Sequence, residues 1–416
     1  MPRTITIPID EVTFVKELYP RLREDDAAIE RYRAAIDKLP PITIARGRVL
    51  VDGFHRWQAH KREDASTIKV QDLGELTDLE IRKESLRRNS SHGRQLETRD
   101  KRKQAGELYL LGVDEPELIE LLSVTASTLE TYLRDAKREE KQRQQDWAWD
   151  LWLDCWDQAA IAEKTGLSQP TISRLIQNRI DPEMNKPPAS RQHFDVWSWQ
   201  TPETTLDIDQ AGTPSYPTKM PPQVVENLLW LYTDPGHIVI DPFAGGGTTI
   251  DIAKAMGRRV WSSDIKPSTP TLPIQKHDIT TGWPDTAPSR ADFILLDPPY
   301  WRQAAGRYSD DDNDLGNMTL DEWETAWEIV VKACAGRLRD GGHLAYIISP
   351  TELKDEGRVV DHAYRMYRAC DDEGLTVKRR IIVTYNTQQA TGQQVTWARE
   401  NKQLLKLYRD LVVFTK

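Results

Sequence analysis

The second half of the chain alternates short apolar runs with stretches of helical period. The runs HIVID, RRVWSSD, PIQKHDI, ADFILLD, GGHLAYIIS, VKRRIIVTY and RDLVVFTK read as strands. Strands that alternate with helices predict a mostly parallel sheet of doubly wound α/β type. The last two of these seven runs are joined without an obvious helix, which predicts an antiparallel strand at the end. The first half has a different texture. ITIARGRVLVDGFHRWQAH reads as strand, Gly turn, strand and a helix opening near His55. From about residue 96 to 180 the chain is strongly helical and charged. RIDPEMNKPPASRQHF then carries two adjacent prolines and no clear period, and reads as a linker. The expected division is 1–95 for an α+β domain, 96–180 for a helical region, 181–194 for the linker and 195–416 for the α/β domain.

The helical region contains two helix-turn-helix candidates, Glu117 to Asp135 and Gln158 to Gln177. In the second, Ala160, Ile161, Leu167, Ile172 and Leu175 are spaced to pack a small core. Gly166 falls at the turn and Ser168 where a helix cap is needed. Gln169, Thr171 and Arg174 then face outward near the start of the second helix, where base edges are read. A plain helical hairpin is the alternative.

Charge and cysteine usage modify this picture. The 416 residues carry a net charge of -9, which at face value disfavours nucleic acid. Local surface matters more. Between Arg82 and Lys103 nine basic residues face three acids, so that window carries +6. It predicts either a solvated helix face or a patch that tracks phosphates, with Arg94 and Lys101 as candidate contacts. Cys155, Cys334 and Cys370 are far apart and odd in number, which fits a reducing cytoplasm and argues against a disulfide frame or a zinc cluster. No metal and no membrane contact are expected. No apolar run of about 18 residues exists, and MPRTITIPIDEV has no signal-peptide core.

The chemistry-bearing motifs lie in the α/β region. HIVIDPFAGGGTTIDIAKAMGRR places a strand, a glycine loop and a helix in succession. Glycines let backbone approach a ligand, and a helix start offers unpaired amides. Asp264 ends the next strand, close to the distance for an acid that takes ribose hydroxyls. Asp278 follows the third strand. Singly each acid reads as a cap or turn residue; as a series they predict a ligand-binding carboxyl edge. The loop lacks Gly-Lys-Ser/Thr, so a triphosphate P-loop is not expected.

DPFAGGGTT together with DPPY resembles the DNA amino-methyltransferases of the adenine-N6 and cytosine-N4 type. YPTKMPPQVVENLLWLY and the acidic loop YSDDDNDLGNMTLDEW are also similar to elements of that group. The resemblance covers about 195–416 and implies a Rossmann-like methyltransferase fold with a seven-stranded, mostly parallel sheet. It implies S-adenosylmethionine as cofactor. Asp241, Pro242, Phe243, Ala244, Gly245, Gly247, Thr248 and Thr249 would surround its methionine part. Asp264 would hold the ribose, Asp278 the adenine amine, and Lys219 would help close the pocket. The catalytic set implied is Asp297, Pro298, Pro299 and Tyr300. Asp297 and the Pro298 carbonyl would accept from the target amine, and Tyr300 would stack on a flipped base. Trp301 would wedge, stack or pack in the core. Asp310, Asp311, Asp312 and Asp314 read as a solvated loop rather than a cation site.

VDGFHRWQAH is similar to an element of the ParB/sulfiredoxin-like fold, which implies Gly53, His55 and Arg56 as candidates for a phosphate site. Phe54 stands where that element usually has an acid, and no cysteine lies nearby, which argues against nucleotide hydrolysis and sulfiredoxin chemistry. Only 116 residues follow Tyr300, mostly consumed by strands and helices, so DNA reading is assigned to the N-terminal half. The expected partner is double-stranded DNA, with a homodimer open. The expected activity is adenine-N6 methylation. The alternatives are N4-cytosine methylation, RNA base methylation, or a non-enzymatic ParB-like DNA-binding regulator.

Overall fold

The computed structural model describes residues 4–20, 25–91, 96–198, 220–267, 270–302, 315–353, 356–384 and 392–416. Its contacts divide the chain into Met1–Gln144 and Gln145–Lys416.

The first unit opens with a four-stranded sheet. Its strands are β1 (Thr4–Pro8), β2 (Ile42–Ala45), β3 (Val49–Asp52) and β4 (Thr67–Asp72), in the order β1-β4-β2-β3. β2 runs parallel to β4, while β1 lies antiparallel to β4 and β3 antiparallel to β2. Helices α1 (Asp26–Arg33), α2 (Phe54–Arg62) and α3 (Asp78–Ser91) accompany it. Ile7, Ile42, Ile44, Leu50, Trp57 and Val70 close its core. Next come α4 (Thr98–Leu110), α5 (Glu115–Leu122) and α6 (Ala126–Leu153), the last of which runs across the division. Leu108, Leu118, Leu122, Leu129 and Leu133 pack between them, and the Asp114 carboxylate caps α5 by accepting from the Glu117 amide at 2.8 Å.

Of the nine basic residues between Arg82 and Lys103, five are ion-paired among the described residues. Lys83 pairs with Glu117 at 2.7 Å and Arg82 with Glu107 at 3.3 Å. Arg87 and Arg88 both pair with Glu84, at 2.6 and 2.7 Å. Glu84 already counts within the window, while Glu107 and Glu117 are brought in from beyond it by the helical fold and lower its charge from +6 to +4. Lys101 is half-buried, and Arg94 lies outside the described residues.

The second unit begins with the end of α6, then α7 (Gln158–Thr165), α8 (Gln169–Arg179) and a 3-10 turn at Pro182–Asn185. The α/β layer follows as β5 (Val196–Trp197), α9 (Pro222–Tyr232), β6 (Ile238–Asp241), α10 (Thr248–Ala255), β7 (Arg259–Asp264) and β8 (Ile274–Lys276). It continues with β9 (Ala291–Leu296), α11 (Leu320–Arg337), β10 (Leu338–Ile348), a small hairpin of β11 (Thr351–Leu353) and β12 (Arg358–Val360), and α12 (His362–Asp372). It closes with β13 (Thr376–Thr384), α13 (Gly392–Glu400) and β14 (Tyr408–Thr415). The main sheet has the order β5-β13-β14-β10-β9-β6-β7-β8. β14 lies antiparallel to both β10 and β13, and every other pair is parallel.

Two expectations are corrected here. The sheet has eight strands among the described residues, because the two residues of β5 add an edge to β13. A helix, α13, does separate the last two strands. GQQVTWARE hid it because its mean polarity masks a short period.

The ADFILL run is apolar throughout because β9 is covered on both faces. Phe293 and Leu295 point to the core built on α9 with Val224 and Leu228. Ile294 and Leu296 point to the core built on α11 with Trp323, Trp327 and Val330. α11 starts with a capping box. Thr319 Oγ1 accepts from the Glu322 amide at 3.3 Å, and Glu322 Oε2 accepts from the Thr319 amide at 2.9 Å.

The stretch expected as a linker is seated on the sheet layer. Arg258, fully buried, donates to the carbonyls of Met184 at 2.8 Å, Met256 at 2.7 Å and Thr233 at 2.8 Å, and to Asn185 Oδ1 at 2.8 Å. Further along, the Gln192 amide donates to Asn227 Oδ1 at 2.7 Å and the Ser190 hydroxyl to Glu226 at 2.6 Å. Proline-rich composition signals irregular backbone; it does not say whether side chains elsewhere hold that backbone down. No helix among the described residues is long and apolar enough to cross a membrane.

Candidate active site

The order of the main sheet fixes where a ligand can bind. From β6 the chain moves outward through β7 to β8, then returns to the other side of β6 as β9 and moves on to β10. The crevice outside the carboxyl ends of β6 and β9 is therefore a topological switch point, the place where open α/β sheets take ligands. The glycine loop leaves β6 there, and DPPY leaves β9 there.

Asp241 is the last residue of β6 and is 3 % exposed. Its Oδ1 accepts from the Phe243 amide at 3.0 Å. Burial pushes its carboxyl up to about 7, against hydrogen bonds from Thr249 and Phe243; the charges of Asp297 and Asp264 push the same way as burial. The loop turns back on itself through the Gly247 amide, which donates to the Ala244 carbonyl at 2.7 Å. Gly247 has φ +84, and an added Cβ would meet Leu272 Cδ1 at 2.2 Å. Only glycine suits that conformation and that proximity. Thr248 then opens α10, and the buried Thr249 faces Asp241.

Asp264 ends β7 and pins the loop from the neighbouring strand. Its Oδ2 accepts from the Gly245 amide at 2.9 Å and its Oδ1 from the Lys266 amide at 2.8 Å. Burial raises its carboxyl, opposed by those two bonds. Each oxygen keeps a second lone pair for a ligand hydroxyl. Asp278 is engaged as a cap: its Oδ1 accepts from the Thr280 amide at 2.9 Å and the Thr280 hydroxyl at 2.7 Å.

Asp297 directly follows β9. Burial pushes its carboxyl up to about 6, opposed by the Arg409 guanidinium and a hydrogen bond from Tyr300. Pro298 is buried, and Trp301 is 2 % exposed, so Trp301 is a core residue. Its indole Nε1 donates to the Met318 carbonyl at 2.9 Å.

Arg409 is the residue the sequence reading missed. It lies near the start of β14, 5 % exposed, paired with Val383 across the ladder. β14 runs antiparallel, so its beginning sits at the carboxyl edge of the parallel strands. A signal existed: Arg409 precedes the apolar run DLVVF, and a basic residue next to a buried strand needs a reason.

Asp241, Pro242, Phe243, Ala244, Gly245, Gly247, Thr248, Thr249, Asp264, Asp297, Pro298, Pro299 and Tyr300 are therefore brought to one edge. Asp278 flanks it after β8. Lys219 and Asp310, Asp311, Asp312 and Asp314 lie outside the described residues.

The family model described as DNA methylase of the N6_N4 type matches residues 116–270. That span includes the glycine loop and Asp264 and ends before DPPY. The chain is 29% identical over 103 residues to the type II methyltransferase M.BglII of Bacillus subtilis, covering 25% of this chain and 27% of that protein. It is 28% identical over 125 residues to the DNA adenine methyltransferase YhdJ of Escherichia coli, covering 30% and 40%. The chain thus spans well under half the length of either relative. Among solved structures, ParB of Caulobacter crescentus in complex with its centromeric site aligns over 43% of this chain and 86% of that one, at 14% identity and a TM-score of 0.26.

The other candidate residues sit outside this edge. In the first unit Gly53 has φ +98, and a Cβ there would lie 2.8 Å from Ile42 Cγ2. Arg56 donates to the carbonyls of Pro40 and Pro41, at 2.9 and 2.7 Å, and to Asp52 at 2.8 Å. His55 Nε2 accepts from the Asp25 amide at 3.3 Å. Within the expected phosphate site, Arg56 is thus bonded to backbone carbonyls of its own fold.

In the second unit α7 and α8 close over Ile161, Ile172 and Ile176 with Trp152 from α6. Gln169 and Arg174 are exposed and Thr171 is half-buried. Ser168 stands at the cap position, but its hydroxyl pairs with Thr171 Oγ1 at 2.8 Å and makes no bond to a backbone amide. The pair is tethered to the sheet. Arg259 donates to the carbonyls of Trp152 and Trp156 at 3.1 and 3.2 Å, and Lys254 pairs with Asp154 at 2.6 Å. Arg259 opens β7, so this tether is at the amino ends of the strands, and the acids are at the carboxyl ends.

Proposed function

We propose that the chain is a DNA amino-methyltransferase that acts on a base flipped out of double-stranded DNA, with adenine N6 as the target. The observation that carries this reading is the meeting of Asp297–Tyr300 with the glycine loop at the switch point of one sheet. The family match over the loop and the curated relatives, a type II methyltransferase and a DNA adenine methyltransferase by name, support the methyl-transfer class. The name of YhdJ and the Asp of DPPY support adenine.

The edge suits S-adenosylmethionine. Asp241, Asp264 and Asp297 line the edge, and the buried Arg409 guanidinium is the cation that acts on Asp297. Such an excess of negative charge favours a cationic ligand. Residues Asp241–Thr249 would hold its methionine part and Asp264 its ribose. When bound, it supplies an electrophilic methyl group on a sulfonium.

The chain's own residues act on the amine. An exocyclic amine is a weak nucleophile because its lone pair is delocalised into the ring. The Asp297 carboxylate and the Pro298 carbonyl would each accept a hydrogen bond from one of its N–H groups. That draws nitrogen toward tetrahedral geometry and frees the pair for attack. The Asp297 carboxylate would then take the proton that the methylated nitrogen must lose. The prolines stiffen the second acceptor, so positioning and electrostatics supply the rate. The Tyr300 hydroxyl bonds to Asp297. An entering amine takes that place and leaves the Tyr300 ring to stack on the base.

The protonation of Asp297 sets a pH dependence. A carboxyl that titrates near 6 is an acceptor above that pH and carries its own proton below it. The transfer rate should fall as pH drops through about 6. Arg409→Met removes the facing cation and should move that acid limb upward by about one unit. A limb left in place by this change would exclude Arg409 as the charge that keeps Asp297 ionised. Among the described residues Asp241 and Tyr300 also face Asp297.

The α7–α8 pair is read as a DNA-reading element, and the first unit as a ParB-like DNA-holding module. Gln169→Ala with Arg174→Ala should weaken duplex affinity by about 10- to 100-fold, as expected for two base contacts. It should leave the rate at saturating DNA unchanged. Fluorescence anisotropy with labelled duplex reads the affinity, and an unchanged value makes the pair a scaffold. The reading as a whole is tested by transfer of labelled methyl from S-adenosylmethionine to unmethylated duplex DNA.

A further inference from the structure

Behind the DPPYW turn lies a hydrogen-bonded chain that packing alone does not call for. His362, the first residue of α12, is fully buried. Its ring is flanked by Trp301 at 5.5 Å and Trp323 at 4.8 Å between centroids. Its Nε2 is 3.0 Å from Thr351 Oγ1, and the Thr351 hydroxyl donates to the Trp301 carbonyl at 3.0 Å.

The direction of the chain follows from proton counting. A hydroxyl has one proton, and Thr351 gives it to the Trp301 carbonyl. Thr351 must therefore accept from His362, which fixes the Nε2–H tautomer. Nδ1 is then a bare acceptor, and it has no hydrogen-bond partner among the described residues. Burial holds the imidazole well below its usual range, at about 4, so the ring stays neutral. A phenylalanine would fill the same aromatic cage without an unpaired nitrogen. A buried polar group that costs stability is expected where it holds something.

What it holds is the exit of the catalytic turn. The Trp301 carbonyl is fixed by Thr351, the Trp301 indole by the Met318 carbonyl at 2.9 Å, and the next amide, Arg302, by the Gly316 carbonyl at 3.2 Å. Only three residues separate Asp297 from Trp301. Rotation of the Trp301 peptide would swing the Tyr300 ring and redirect the Pro298 carbonyl.

We propose that His362 and Thr351 are positioning residues that, through the Trp301 carbonyl, set the geometry of the Asp297–Tyr300 turn for transfer to the amine. The inference rests on the methyl-transfer reading above. A misplacement of the order of 1 Å at a reacting group is enough for a large loss of rate.

The test compares Thr351→Val, Thr351→Ser and His362→Phe with the wild-type chain. Thr351→Val should lower kcat by about tenfold, with KM for S-adenosylmethionine within about twofold. Thr351→Ser keeps the hydroxyl and should restore kcat to within about twofold. His362→Phe should also lose about tenfold in kcat while melting at the same temperature or higher, a split that a purely structural residue would not give. Wild-type turnover in Thr351→Val and His362→Phe would overturn the proposal. If the wild-type chain transfers no methyl group, the reading of the reaction has failed, and the relay is then judged by histidine 15N NMR. A protonated Nε2 signal that His362→Phe removes and Thr351→Val shifts supports it, and its absence from the wild-type spectrum overturns it.

Discussion

Asp297→Ala is expected to reduce kcat for methyl transfer by about 10³-fold, the size of effect seen when one aligned polar group is removed from a charge-developing centre. S-adenosylmethionine affinity should stay within about twofold, because Asp297 faces the amine side of the crevice. The split has a physical origin. The glycine loop is pinned by Asp264 through the Gly245 amide, and Asp241 is bonded to Phe243 and Thr249. None of those bonds passes through Asp297. Asp297→Asn keeps one carbonyl acceptor but presents an NH2 group when turned the other way, so its loss should be smaller. Single-turnover rates with saturating DNA, beside calorimetric binding of S-adenosylmethionine, measure both quantities. An alanine variant with unchanged kcat would remove Asp297 from the chemistry.

The second large effect is on stability. Arg258→Met replaces a guanidinium that serves the carbonyls of Met184, Met256 and Thr233, Asn185 Oδ1, and the Thr233 hydroxyl at 3.0 Å. Burial lowers its own pKa to about 10, still far above neutral, so the charge persists inside. Removing it leaves several buried acceptors unpaired, at a cost of about 3–5 kcal/mol. For a unit of this size that corresponds to about 10 °C in Tm. Arg258→Lys should recover little, since a single ammonium cannot reach acceptors arranged around a planar fork. Differential scanning calorimetry reads the shift. An unchanged Tm would mean that the Pro182–Asn185 turn holds its place without the arginine.

The sheet and the glycine loop were legible in the sequence because their signals are local. Each strand is a run whose apolar faces alternate or coincide, and Gly245, Gly247 and Asp264 occur at fixed distances along the chain. Asp241 and Asp297 could be paired because sheet topology brings consecutive switch-point strands together. What was not legible depends on distant partners. Arg409 meets Asp297 only because β14 inserts between β10 and β13. The engagement of Arg56 by its own fold was hidden because Pro40 and Pro41 offer it carbonyls that no local motif reveals. The 181–194 stretch looked like a linker because Arg258, far along the chain, is what seats it. His362 carried no motif at all; its meaning appears only once Trp301, Thr351 and Trp323 surround it.

The central claim is transfer of a methyl group to an exocyclic base amine. The most direct measurement incubates the full chain with S-adenosylmethionine and unmethylated genomic DNA, digests the DNA and resolves the nucleosides by mass spectrometry. The account predicts N6-methyladenine, absent when Asp297→Ala replaces the wild-type chain. N4-methylcytosine would move the target while keeping the site. DNA left unmethylated by a folded, S-adenosylmethionine-binding chain would contradict the account.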